Sequence, residues 1–230
     1  MHAGKGLTAA ADLTSHEEGL AMKIACAVAA MTLVLTPAHA IEPFGLATTP
    51  SQNAGLIAIW HDLQTELVKD ELVVTHCRTN PSCSAPAAQR FIAIVDEARQ
   101  YSGRRMIGHL NRGINGAIQS TRGIVPWLPP LAALERPGDC KSYAIAKYLA
   151  LGEAGIAASD RRLVMLRGAS RPTEMHLVVL VRDDERWLIL DNRTLTLVDS
   201  TAAHQYVPLN QFDANGVRDF GTSPRRMEKG

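Results

Sequence analysis

A cysteine, a histidine and an aspartate, in that chain order, carry the chemistry this sequence can do. Cys140 stands behind Gly138-Asp139 and ahead of an alanine-rich stretch, which places it at the mouth of a helix. His176 lies inside one apolar run, and Asp191 ends the next. A cysteine attacks as its thiolate, and an ordinary thiol is mostly protonated at neutral pH. The free N–H groups of a helix N-terminus favour the anion. An imidazole can take the proton and later return it to a leaving group. A carboxylate behind the ring can hold its tautomer and orientation. The set points to nucleophilic acyl chemistry, with the Cys140 N–H as one oxyanion donor. Trp127 and Asn111 are weaker candidates for a second donor. His61, His109 and His204 are rival bases, but none has an acid in an equally defined register. A metal site on Cys140 and His176 lacks a further cysteine or clustered histidine to complete it.

The elements around these residues explain how they could meet. Asp183-Asp184 separates two apolar runs and reads as a two-residue hairpin turn. In that register Leu180 faces Trp187, Val178 faces Ile189, and His176 faces Asp191. A one-residue slip would send Asp191 to the opposite face. The alternate positions are apolar too, so both faces of the hairpin are covered and the two polar groups need partners.

Helical spacing recurs over 56–69, 86–103 and 105–119, and again from Cys140 to the glycines at 152 and 155. Asp139 is a candidate N-cap for the last of these. Asn111 and Asn115 share one face of the third helix. They read first as a solvated stripe, the alternative being hydrogen bonds beneath the active site. The proline-rich 121–137 is a loop around Trp127, whose plainest role is to cap the core. Short β-favouring runs follow at 162–166, 175–181, 187–190 and 194–198. Helices first and an antiparallel sheet after make the fold class α+β.

The chain has 230 residues, 46% of them apolar and 20% charged, with a net charge of +1. That is globular composition and gives no reason to expect nucleic acid as a partner. Met22-Lys23, the apolar stretch to Leu35 and Ala38-His39-Ala40 have the plan of a secretory signal peptide. Residues 1–40 are therefore expected to be a signal region, with Met22 a candidate true start, and 41–230 a single domain without a stable membrane anchor. A periplasmic or secreted location follows. Cys77 and Cys83 flank a polar turn, and an oxidising compartment would keep them as a disulfide. Cys140 is then the odd thiol.

Gly138-Asp139-Cys140, Tyr143-Ala144-Ile145-Ala146-Lys147-Tyr148, Met175-His176 and Ile189-Leu190-Asp191-Asn192 together resemble the bacterial transglutaminase-like cysteine proteinases, the family of the LapG-type periplasmic proteases. Asn111-Arg112-Gly113-Ile114-Asn115 and Trp127-Leu128-Pro129-Pro130 are similar to that family's Asn-Arg-x-x-Asn helix and Trp-x-x-Pro loop. The resemblance implies a papain-like/transglutaminase-like fold, with N-terminal helices and the nucleophile helix packed on the sheet. It carries the catalytic roles onto Cys140, His176 and Asp191. It also implies a protein substrate such as a surface adhesin, cut to release cells from biofilm, and control by an inner-membrane receptor for cyclic di-GMP. The family keeps acids after the nucleophile that are tied to calcium. Here Lys141 and Ser142 stand in their place, and Asp139 is the only retained candidate ligand. An ammonium repels a hard cation, so no cofactor is expected. The triad dictates acyl chemistry but not the acceptor, which leaves a thiol acyltransferase or amidase on the same fold as an alternative. A binding module that does not use its thiol is another.

Overall fold

The computed structural model describes residues 42–123 and 125–221. The signal-like segment, Met22 and the Ala38-His39-Ala40 site lie outside the described residues. In chain order the main elements are β1 (Thr48–Pro50), α1 (Ala54–Thr79), α2 (Pro86–Ala98), α3 (Gly103–Ala117), α4 (Pro130–Ala133) and α5 (Cys140–Glu153). The remaining strands are β2 (Arg161–Gly168), β3 (Met175–Asp183), β4 (Arg186–Leu190), β5 (Val198–Asp199), β6 (Tyr206–Asp213) and β7 (Gly216–Phe220). The fold is α+β, as the order of periodicities implies. One antiparallel sheet runs β1-β7-β6-β2-β3-β4-β5, with α5 packed on β2 and β3.

Local rules account for the helix starts. Asn53 caps α1 by accepting from Leu56 N at 3.1 Å, and Pro86 opens α2, where no N–H is needed. The first helix outlasts its expected end near position 69 and runs to Thr79. Lys69 and Glu71 look like a break but are exposed, while Leu63, Leu67 and Val74 continue the buried stripe. Cys77 consequently sits on the last turn of α1, joined to Cys83 with Cα atoms 5.1 Å apart. A closed loop this short stabilises by about 2 kcal/mol through lost freedom of the unfolded chain. The double variant Cys77→Ser/Cys83→Ser is expected to lose that amount in urea unfolding, and an unchanged midpoint would count against it.

The sheet has two apolar faces. On one, Leu177, Val179, Val181, Leu188 and Leu190 join the main core under the helices. On the other, Val164, Leu166, Val178, Leu180, Trp187 and Ile189 form a second cluster against Ala203, with Phe44 and Tyr206 packed on it. Helix α5, which opens on Cys140, is buried from Ser142 to Leu151, so it is a core helix rather than one with a single buried face.

The β3–β4 hairpin differs from its expected register by two residues. Its turn is Asp184–Glu185, not Asp183-Asp184: Asp183 stays in the strand opposite Arg186, and Arg182 faces Trp187. Asp184 takes the left-handed backbone (φ 54°), which aspartate tolerates better than most residues. A two-residue shift preserves the faces, because the side-chain period is two. The expected strand over 194–198 shrinks to β5, while β1, β6 and β7 carry no clear signal of their own. In β6, Pro208 and the polar Asn210 and Gln211 obscure the pattern.

Candidate active site

Cys140 is the first residue of α5, and its place is fixed from both sides. Asp139 caps the helix, its Oδ1 accepting from Lys141 N at 3.0 Å. Upstream, Gly138 N donates to Gln119 O at 2.8 Å and Gly138 O accepts from Thr121 N at 3.0 Å. The stretch leaving α3 is thereby laid alongside the turn that carries Cys140. Gly138 has no room for a side chain: a Cβ there would stand 2.5 Å from Ser142 Cβ. This close approach is the physical reason for a glycine two residues before the cysteine.

His176 is the second residue of β3 and Asp191 follows β4 directly. With Val179 opposite Leu190, one further step sets Val178, not His176, across from position 191. The expected direct opposition of His176 and Asp191 is corrected to a diagonal contact, within reach of long side chains on one face. His176 Nε2 donates to Asp191 Oδ1 at 2.8 Å, and both residues are buried, 2% and 4% exposed. The other ring nitrogen, Nδ1, is buried and takes no other partner, which leaves it for the Cys140 thiol.

The electrostatics follow from this packing. Burial pushes the Cys140 thiol up and is the largest single influence, but His176 and the Leu177 N–H outweigh it, so the thiol is more acidic than usual. Burial pushes His176 down, yet hydrogen bonds with Asp191 and Cys140 leave the ring more basic than usual. Asp191 resists ionisation through burial, and the imidazole, the Arg193 N–H and Tyr206 reverse this and hold it ionised far below the ordinary carboxylate range. A more acidic thiol beside a more basic imidazole eases proton transfer from Cys140 to His176.

Two supports of Asp191 were not read from the sequence. Its Oδ1 also accepts from Arg193 N at 2.9 Å, and its Oδ2 from the Tyr206 hydroxyl at 2.8 Å. Asn115 Nδ2 donates to Asp191 O at 3.1 Å, and Asn111 Nδ2 to Thr194 O at 3.4 Å. The two asparagines therefore brace the loop under the site and are not a solvated stripe. Their four-residue spacing was the available signal. Asn111 is fully buried, gives one Nδ2 hydrogen to Thr194 O and does not line the space above Cys140. Lys147, also fully buried, reaches Leu190 O at 3.4 Å.

A cleft of about 500 Å³ opens over Cys140 and His176, walled by Trp127, Met165, Met175 and Leu177 and edged by Arg122 and Arg193. Trp127 is half-buried, 6.0 Å from the Phe212 ring, in a loop that also holds the short helix α4. His61, His109 and His204 do not line the cleft. Among the described residues, no cluster of three or more His, Cys, Asp and Glu side chains is placed to hold a metal. The turn around Cys140 is a poor fit for calcium on its own chemistry. Both oxygens of Asp139 are engaged by Lys141, through its N–H and its ammonium. Ser142 is buried against Gly138.

Residues 73–215 match the family of bacterial transglutaminase-like cysteine proteinases. No match was found among curated proteins. Among solved structures, the chain is similar to Legionella pneumophila LapG at 17% identity, covering 65% of this chain and 87% of that one, with a TM-score of 0.53. The calcium-bound form of that LapG gives 19% identity, 69% and 91% coverage and a TM-score of 0.53. Its EGTA-treated form gives 17%, 69%, 92% and 0.53. These likenesses show a shared fold, and the family match covers most of the described chain. The chain belongs to the bacterial transglutaminase-like cysteine proteinases and is a cysteine peptidase.

Proposed function

We propose that this peptidase hydrolyses a peptide bond of an exported protein through Cys140, His176 and Asp191. The observation that carries the reading is the buried His176–Asp191 hydrogen bond beside the Cys140 thiol at the start of α5. The Cys140 thiolate attacks the scissile carbonyl carbon, forming a carbon–sulfur bond and an oxyanion that the Cys140 N–H meets. Collapse breaks the C–N bond, and the leaving amine takes the proton held on His176. Water then attacks the thioester while His176 accepts its proton; the thiolate departs and the acid is released. Asp191 keeps the ring in one tautomer throughout.

The signal-like N-terminus and the Cys77–Cys83 disulfide support a periplasmic or secreted location. A surface adhesin is the substrate the family resemblance suggests, with an inner-membrane receptor as regulator. Comparison of protein N-termini in cells carrying wild-type protein and Cys140→Ala tests the reading. New termini on an exported protein that require Cys140 are expected; identical termini in both would sink it.

Calcium is not part of this proposal. The Lys141 ammonium sits on Asp139 as a tethered cation, so a divalent ion would have to displace it and leave two positive charges together. Cleavage is expected to survive EGTA unchanged. Loss of cleavage in EGTA, with recovery on added calcium, would contradict this.

A further inference from the structure

Tyr206 touches both members of the His176–Asp191 pair from β6, which β2 separates from β3. Its hydroxyl donates to Asp191 Oδ2 at 2.8 Å, while Oδ1 serves His176 and the Arg193 N–H. Its ring lies 5.9 Å from the imidazole, inclined at 29°.

The backbone of β6 is shaped to bring it there. Tyr206 and Phe212 are an even number of residues apart, so an unbroken strand would point both to one face. The β2–β6 pairing skips a residue: Leu166 faces Pro208 while Met165 faces Asn210, leaving Leu209 without a partner. Such a bulge re-aims the side chains on one side of it. Phe212 accordingly enters the main core, and Tyr206 joins the second cluster on the face of His176 and Asp191.

We propose that Tyr206 is a positioning residue that holds the second oxygen of Asp191 and keeps the His176 imidazolium acidic enough to protonate the leaving amine. The inference rests on the roles given above to Cys140, His176 and Asp191. A hydroxyl donating to a carboxylate drains charge from it and weakens its pull on the imidazolium. Asp191 is too buried for water to replace that donor freely. The phenol itself stays protonated, pushed up to about 12 by burial and by the adjacent carboxylate, so it remains a donor.

The test is the pH profile of Cys140 alkylation by iodoacetate, which needs no natural substrate. The anionic reagent is drawn by the imidazolium, so its rate rises as the thiolate forms and falls as His176 loses its proton. In Tyr206→Phe the alkaline limb is expected to move up by about half a pH unit or more, because the undiluted carboxylate holds the imidazolium more strongly. In an Asp191→Asn background the same substitution should shift nothing further. Tyr206→Leu is expected to show the same shift and serves where the phenylalanine variant does not fold. A folded Tyr206→Phe protein with an unmoved limb overturns the role of Tyr206 alone. A wild-type profile indifferent to His176→Ala overturns the triad reading, and this inference with it.

Discussion

Replacing His176 with alanine is expected to slow the alkylation of Cys140 by iodoacetate at pH 6 by about a hundredfold to a thousandfold. In the wild type, hydrogen bonds from His176 and Leu177 overcome the burial that opposes ionisation, and the thiol is depressed below its ordinary value of 9.0. Without the imidazole, burial is opposed only by the Leu177 N–H and the start of α5. A thiol returned to its ordinary range is ionised to about one part in a thousand at pH 6. The wild-type rate should therefore rise at a lower pH than that of an ordinary thiol and decline where His176, raised above 6.5, loses its proton. The variant should react only as the solution becomes alkaline. Asp191→Asn is expected to lie between them: the ring stays but loses the charge that keeps it basic. A His176→Ala protein labelled as fast as wild type at pH 6 would mean that the thiol owes its acidity to the helix alone.

The second large effect concerns stability and comes from Lys147. This side chain is fully buried on α5, seven residues after the nucleophile, and donates to Leu190 O at 3.4 Å. Burial lowers its pKa from 10.5 to about 7, against the pull of Asp191. Below pH 7 the ammonium is present in both folded and unfolded chains, and the folded state bears the full cost of burying it. Between about 7 and 10.5 the unfolded chain holds a proton that the folded one has released, so this site's contribution to stability rises with pH across that window. Lys147→Met keeps the bulk and removes the charge. The variant is expected to be more stable than wild type by several kcal/mol at pH 6, and the difference should shrink steadily toward pH 10. Urea unfolding at both pH values reads this directly. A variant less stable than wild type at pH 6 would show that the bond to the Leu190 carbonyl outweighs the buried charge.

The sequence displays the residues of the candidate site better than it displays what surrounds them. Cys140 at a helix mouth with Asp139 as its cap is a matter of neighbours two residues apart, and such local bonds are written in adjacent positions. The pairing of His176 with Asp191 was legible for the right parity and the wrong register. Alternation fixes the face, whereas the choice of Asp184–Glu185 over Asp183-Asp184 as the turn depends on which aspartate can adopt a positive φ with its neighbours paired. The Asn111–Asn115 spacing was visible too. Only the loop they brace, eighty-odd residues away for Asn111, distinguishes a support from a solvated stripe.

What the sequence by itself determined is the class of elements, the Cys140 turn with its cap, the shared face of His176 and Asp191, and the proximity of Cys77 to Cys83. Helical and strand periods, caps and short loops act over a few residues, so their physics is complete within the local chain. The tertiary structure alone decided that Tyr206 meets Asp191, that Lys147 lies buried beneath the acid, and that Asn111 and Asn115 hold its loop. Each of those contacts requires a sheet order that sets β6 beside β2 and a helix layer that sets α3 and α5 under the end of β4. Burial of one element against another selects that order, and no run of neighbouring residues encodes it.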